Sequence, residues 1–162
     1  MSNRSLLPAL TRTLEGATKV VVLGVGSELR ADDAAGLRAA ERLRRMRLRD
    51  VQVLQAGTAP ENVTGEIRRL SPSHILVIDA ADMGLSPGSI QVLEQDELGG
   101  SRPGTHGISL GVLLQYLSQD MSFRAIVIGI QPSSLEAGGS VSAPVSEAVE
   151  EVARAVKEAL GQ

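Results

Sequence analysis

The sequence contains no Cys and no Trp, and only one Tyr and one Phe among its 162 residues. Without Cys there is no disulfide framework, thiolate zinc site, iron–sulfur cluster or cysteine nucleophile, so any chemistry must use oxygen, imidazole or a borrowed metal ion. The scarcity of aromatic side chains removes the platforms on which single-stranded nucleic acids stack. With 16 basic against 19 acidic residues the net charge is −3, which provides no global basic field. Nucleic acid is therefore not an expected partner. Long apolar runs are missing too: Val20 to Val25 and Ile75 to Ile78 are strand-sized, far short of the ~18 residues of a membrane span. The opening residues, MSNRSLLPALTRTLEG, lack both an apolar stretch of roughly 7 residues and a cleavage site, so no secretory signal is expected. The expected location is the cytoplasm, with no membrane partner.

What is present fits one domain spanning residues 1–162. A hydrophobic content of 43% excludes a disordered tail, and a chain of this length buries about 68–70% of its unfolded surface. Apolar runs alternate with amphipathic segments. Lys19 to Gly26 (KVVVLGVG) is β-branched and continuously apolar, as expected for a strand covered on both faces. From Asp32 the spacing turns helical, with Leu37, Ala40, Leu43 and Met46 on one side and Arg38, Arg42, Arg45 and Arg49 on another. Further strands are expected at 51–55, 74–80, 89–95 and 123–130, and helices at 61–70, 108–117 and 144–160. The 89–95 strand alternates apolar and polar residues, which suits a sheet edge, and 96–104 reads as a loop. This order predicts a three-layer α/β sandwich: a five-stranded, mostly parallel twisted sheet with helices on both faces. In such sheets ligands gather outside the carboxyl ends of the strands.

The loops at that edge carry the residues of interest. GVGSEL (Gly24 to Leu29) follows a strand and precedes a helix, but Leu29 replaces the third glycine of a dinucleotide fingerprint. No phosphate-binding loop or GxSxG motif exists either. Gly24 and Gly26 then read as close-approach glycines at a tight turn. Asp33 lies after the first strand, Asp79 ends the third, and His106 lies in the Gly/Pro loop after the fourth, so topology brings all three to one edge. Two carboxylates and an imidazole suit a divalent transition metal with positions left for water or substrate. Position alone also allows a plainer reading, with Asp32 and Asp33 as helix-start acids, Asp79 as a strand-end cap and His106 as a neighbour of a helix cap. His74 reads as a packing residue, Asp82 as the cap of a turn, and the Arg face as solvated or docked on an acidic partner surface.

Taken in order, GVGSELRADDAAG, GTAPEN, VIDAADMGLSPG, THGISL and IGIQP resemble the nickel–iron hydrogenase maturation endopeptidases, most closely the branch serving the formate-hydrogenlyase type of hydrogenase. The resemblance runs from about Lys19 to Leu160 and implies a phosphorylase/hydrolase-like fold. It also implies an endopeptidase that removes a C-terminal extension from the nickel-loaded precursor of the hydrogenase large subunit, its partner. The family's metal-contacting residues match Asp33 in RADD, Asp79 in VIDA and His106 in THG; some relatives carry Glu at the first position. The nickel is supplied by the precursor and serves as the recognition signal. Because the family's cut follows a basic residue, Glu28 or Asp32 is expected to receive that side chain. One departure stands out: many relatives carry an Asp shortly before the second loop's glycine, where this chain has Gln55 and Ala56 ahead of Gly57 and Thr58. Two other activities share these features, a different metal-assisted hydrolase on the same sandwich and a non-catalytic chaperone that binds the large subunit.

Overall fold

The computed structural model describes residues 5–94 and 107–162. Five strands form one sheet: β1 (Val20–Val25), β2 (Val51–Gly57), β3 (His74–Ala80), β4 (Ile90–Glu94) and β5 (Arg124–Ile130). Their spatial order is β2-β1-β3-β5-β4, parallel throughout except for β4, which runs antiparallel to β5 at the edge. The interior strands explain their own composition. Every residue of β1 and β3 is buried, because helices cover both faces, and β-branched side chains fill that two-sided environment. In edge strand β4, Ile90 and Val92 share the face packed against α1, α2 and α5, while Leu93, three residues from Ile90 and so on the opposite face, is buried as well.

On one face lie α1 (Leu6–Thr13), α2 (Ala35–Met46) and α5 (Ala143–Ala159). Their buried side chains, including Leu10, Leu43 and Val152, pack on Val22, Leu76, Ile78, Ile126 and Ile128. On the other face α3 (Thr64–Leu70) and α4 (Gly107–Ser118) bring Ile67, Leu110 and Leu114 against Val21, Leu23, Ile75 and Val77. Full burial of each such Leu or Ile contributes about 1.5–3 kcal/mol. Helix α5 starts at Pro144 in its first turn, where a missing N–H costs nothing. Helix α3 ends at Ser71 in the left-handed conformation, directly before Pro72. Among the described residues no helix is long and apolar enough to cross a membrane.

Two differences from the sequence reading concern α1 and α2. The first sixteen residues carried no expected element, yet Leu6, Leu10 and Leu14 form a buried stripe at four-residue spacing. In α2 the buried stripe is Ala35, Gly36, Ala39, Ala40 and Leu43, with Leu37 and Met46 half-buried at its margins. The small residues face the sheet because they let the helix approach it closely. The expected 96–104 loop lies outside the described residues.

Sheet order also locates the site. From β1 the chain winds outward to β2, then crosses back to β3 on the other side of β1. That reversal leaves a crevice between the carboxyl ends of β1 and β3, where ligands bind in open α/β sheets.

Candidate active site

The crevice is built by close backbone approaches. Gly26, just past β1, has φ +141°, and a Cβ there would lie 1.9 Å from the carbonyl oxygen of Asp33. That carbonyl accepts a 3.2 Å hydrogen bond from the Ser27 N–H, so the loop folds back on itself. Residues 31–34 form one 3-10 turn that leads into α2. At Gly36 a Cβ would lie 2.1 Å from the carbonyl oxygen of Ile78 and 2.3 Å from that of Val25, so α2 starts directly on the ends of β3 and β1. Asp33, three residues before Gly36, and Asp79, one residue after Ile78, are thereby brought to the same crevice.

Both carboxylates are buried, Asp33 at 1% exposure and Asp79 at 3%. Asp79 continues the alternation of Ile75 and Val77 and so belongs to the face covered by α3 and α4. Among the described residues the buried Oδ1 of Asp33 has no hydrogen-bond partner. Leaving such an acceptor unsatisfied costs about 1–3 kcal/mol, more when it is charged, so its partner lies beyond the described residues or is a bound group. His106 lies outside the described residues, and among the described residues no three His, Asp or Glu side chains cluster to hold a metal ion. The described chain resumes at Gly107, the first residue of α4. Because α4 leads into the amino end of β5, its first turn lies at the carboxyl edge of the sheet. A buried hard-oxygen acceptor without a partner, beside a second buried carboxylate, fits a divalent cation brought to this crevice.

The neighbouring Asp32 is arranged quite differently. It is 1% exposed, and its carboxylate accepts hydrogen bonds from the N–H groups of Ser133 (2.8 Å), Ser134 (3.3 Å) and Ser142 (2.7 Å) and from the Ser142 hydroxyl (2.8 Å). Burial pushes its carboxyl pKa upward, but the Ser142, Ser133 and Ser134 donors outweigh that, and the pKa falls below its ordinary value. Of the two acids expected to receive a basic side chain, only Glu28 is exposed. It lines a cleft of about 640 Å³ between the loops that follow β1 and β2, together with Ser27, Gln55 and Thr58 and with Arg38, Glu41, Arg44 and Arg45 of α2, where Glu41 is already paired with Arg44 and Arg45. The family-atypical Gln55 has its own local role: its Nε2 donates to the Leu37 carbonyl at 2.9 Å, tying β2 to α2 in a way a carboxylate could not.

A residue not named among the site candidates is Gln131, 6% exposed, just past the end of β5. Its Oε1 accepts from the N–H groups of Met83 (2.6 Å) and Leu85 (3.3 Å), and its Nε2 donates to Asp82 Oδ1 (3.2 Å). Gln131 thereby shapes the loop that leaves β3 just past Asp79. Its sequence signal was the segment IGIQP, which carries part of the family resemblance but does not say what the side chain does. Asp82 also accepts from the Gly84 N–H at 3.3 Å, the turn-capping contact expected of it. His74 lies at the opposite, amino edge of the sheet, paired in register with Val20 and Arg124. Its Nδ1 is 2.9 Å from the Ser73 hydroxyl, and its Nε2 is buried without a partner.

Comparison with known proteins bears on the family and the fold. Residues 37–161 match the family model HycI, described as hydrogenase maturation protease. The hydrogenase 3 maturation protease of Escherichia coli K12 is 35% identical over 133 residues, covering 82% of this chain and 85% of that protein. The crystal structure of a [NiFe] hydrogenase maturation protease, HycI, from Thermococcus kodakarensis superposes with a TM-score of 0.87 at 29% identity, over 95% of this chain and 99% of the other. The solution structure of the endopeptidase HycI from Escherichia coli gives 0.76 at 31% identity, over 87% and 90%. This chain belongs to the hydrogenase maturation protease family and is an endopeptidase.

Proposed function

We propose that the substrate is the precursor of a nickel–iron hydrogenase large subunit in the cytoplasm, and that the cut removes its C-terminal extension. The observation that carries this reading is the buried, unpartnered Oδ1 of Asp33 at the switch point of the sheet, beside the end of β3 where Asp79 sits. As the family resemblance implies, the nickel arrives bound in the precursor, and Asp33, Asp79 and His106 contact it there; two carboxylates and an imidazole are donors suited to such an ion. Only a loaded precursor then places its scissile bond correctly, and nickel acts as the recognition signal. A carboxylate oxygen withheld from internal hydrogen bonds is also placed to accept the proton of an attacking water. Glu28, exposed on the adjoining cleft, receives the basic side chain that precedes the cut.

The test is processing of a purified precursor followed by intact mass. Loss of the C-terminal extension is expected with the wild-type protein and is expected to disappear with Asp33→Asn, while that variant keeps its far-UV circular dichroism. Processing at the wild-type rate by Asp33→Asn would refute the assignment.

A further inference from the structure

The turn that carries Asp33 is only four residues long, Ala31–Ala34, and a single 3-10 turn has little internal rigidity. It also includes Ala31 at φ +48°, a left-handed conformation that a non-glycine residue keeps only when its surroundings impose it. Those surroundings are visible. The connection from β5 to α5, residues 131–142, lies across the turn like a strap. The Asp32 N–H donates to the Ser134 carbonyl at 3.1 Å, the Gly138 N–H donates to the Leu29 carbonyl at 2.8 Å, and Arg30 Nε donates to the Leu135 carbonyl at 3.3 Å. A Cβ on Gly139 would lie 2.9 Å from the Cβ of Ala31, so the strap is packed against the strained residue itself.

The Asp32 carboxylate joins both ends of this strap. One oxygen accepts from the Ser142 N–H; the other accepts from Ser133 N–H, Ser134 N–H and the Ser142 hydroxyl. Ser142 is the residue from which α5, 17 residues long, departs. A carboxylate can accept at both oxygens at once, whereas an asparagine would turn an NH2 toward one of these donors.

We propose that Asp32 is a positioning residue for the proteolytic reaction. By clamping the β5–α5 strap and the start of α5 onto the 3-10 turn, it fixes the backbone from which Asp33 enters the crevice. Asp32 contacts neither the substrate nor its metal. This inference rests on the role assigned above to Asp33, and it places a device for site geometry one residue away on the opposite side of the turn.

Steady-state processing of nickel-loaded precursor by the full chain tests it, with Asp32→Asn, Ser142→Ala and Asp33→Asn measured in parallel. The kinetics are referred to the folded fraction obtained from thermal unfolding. Asp32→Asn is expected to lower kcat at least tenfold with KM within about twofold of wild type. Ser142→Ala removes the hydroxyl donor but leaves the backbone donors, so it is expected to lower kcat a few-fold; this holds the proposal open to test if Asp32→Asn does not fold. An unchanged kcat per folded Asp32→Asn molecule overturns the proposal, as does a raised KM at constant kcat, which means direct substrate contact. If Asp32→Asn folds poorly, an unchanged kcat for folded Ser142→Ala also overturns it. Wild-type processing by Asp33→Asn overturns the underlying site assignment instead, so the two failures are distinguishable.

Discussion

Adjacent aspartates in this chain have opposite surroundings. Asp32 has four hydrogen-bond donors around its carboxylate, while Asp33 keeps a buried oxygen that has none among the described residues. A satisfied buried carboxylate stabilises local structure, and an unsatisfied one is held ready for a ligand at a cost in stability. Asp33→Asn is accordingly expected to abolish processing without lowering the unfolding free energy measured in urea; a loss above about 1 kcal/mol would show that the carboxylate is structural after all. At the far edge of the sheet, burial lowers the pKa of His74, and the Arg124 guanidinium lowers it further, with a weaker opposing influence of the Thr13 backbone carbonyl. The folded chain thus resists a proton that the unfolded chain takes up near pH 6.5. Below that pH the unfolded state binds more protons, so this contribution to stability is complete above 6.5 and is lost as the pH falls through the lowered folded value. Urea unfolding between pH 7 and about 5.5 is expected to show declining stability that His74→Gln flattens; an identical slope in the variant would exclude His74 as the cause. That His74 is a packing residue was readable from its place at the start of an apolar strand. The different fates of Asp32 and Asp33 were not, because the donors that separate them come from residues 133–142, about a hundred positions away.

Elements were legible where a single covered or half-covered surface sets the pattern. The continuous apolar runs of β1 and β3 reflect helices covering both faces, and β4 was legible as a strand although Ile90 and Leu93 are buried on opposite faces of it. Helix α1 was missed because its eight residues hold only a short Leu stripe, and that stripe is stabilised by α5 and β4, which sequence periodicity cannot show. It nonetheless belongs to the core: Leu10 is fully buried, and Leu10→Ala is expected to cost about 2–5 kcal/mol in denaturant unfolding. A cost below about 1 kcal/mol would mark α1 as a dispensable addition. The approach of α2 to the strand ends makes a separate prediction. A methyl at Gly36 would meet two backbone carbonyls at 2.1 and 2.3 Å, neither of which can rotate away. Gly36→Ala is therefore expected to push the helix off the sheet, lowering stability by about 1–3 kcal/mol or more, and to impair processing by displacing Asp33 relative to Asp79. Wild-type activity in that variant would show that the crevice tolerates a looser frame.

For the whole molecule, the strand order turns a list of distant residues into a site. The reversal of winding between β1 and β3 brings the loop after residue 25 to the strand end at residue 79, and under the proposed function that crevice carries the endopeptidase chemistry of the family. The fold class and the edge at which to look followed from alternating β and α segments, while the contacts of Gln131, a residue of the IGIQP segment, and the strap over the 3-10 turn emerged only from the assembled structure. Nickel recognition is the central proposal at this scale; it rests on the family relationship and on an Asp33 oxygen that is buried without a hydrogen-bond partner among the described residues. The most direct measurement is intact mass of two large-subunit precursors after incubation with the protein, one loaded with nickel and one without it. Removal of the C-terminal extension from the loaded precursor alone, abolished by His106→Ala, is the predicted result; equal cleavage of both precursors would contradict it.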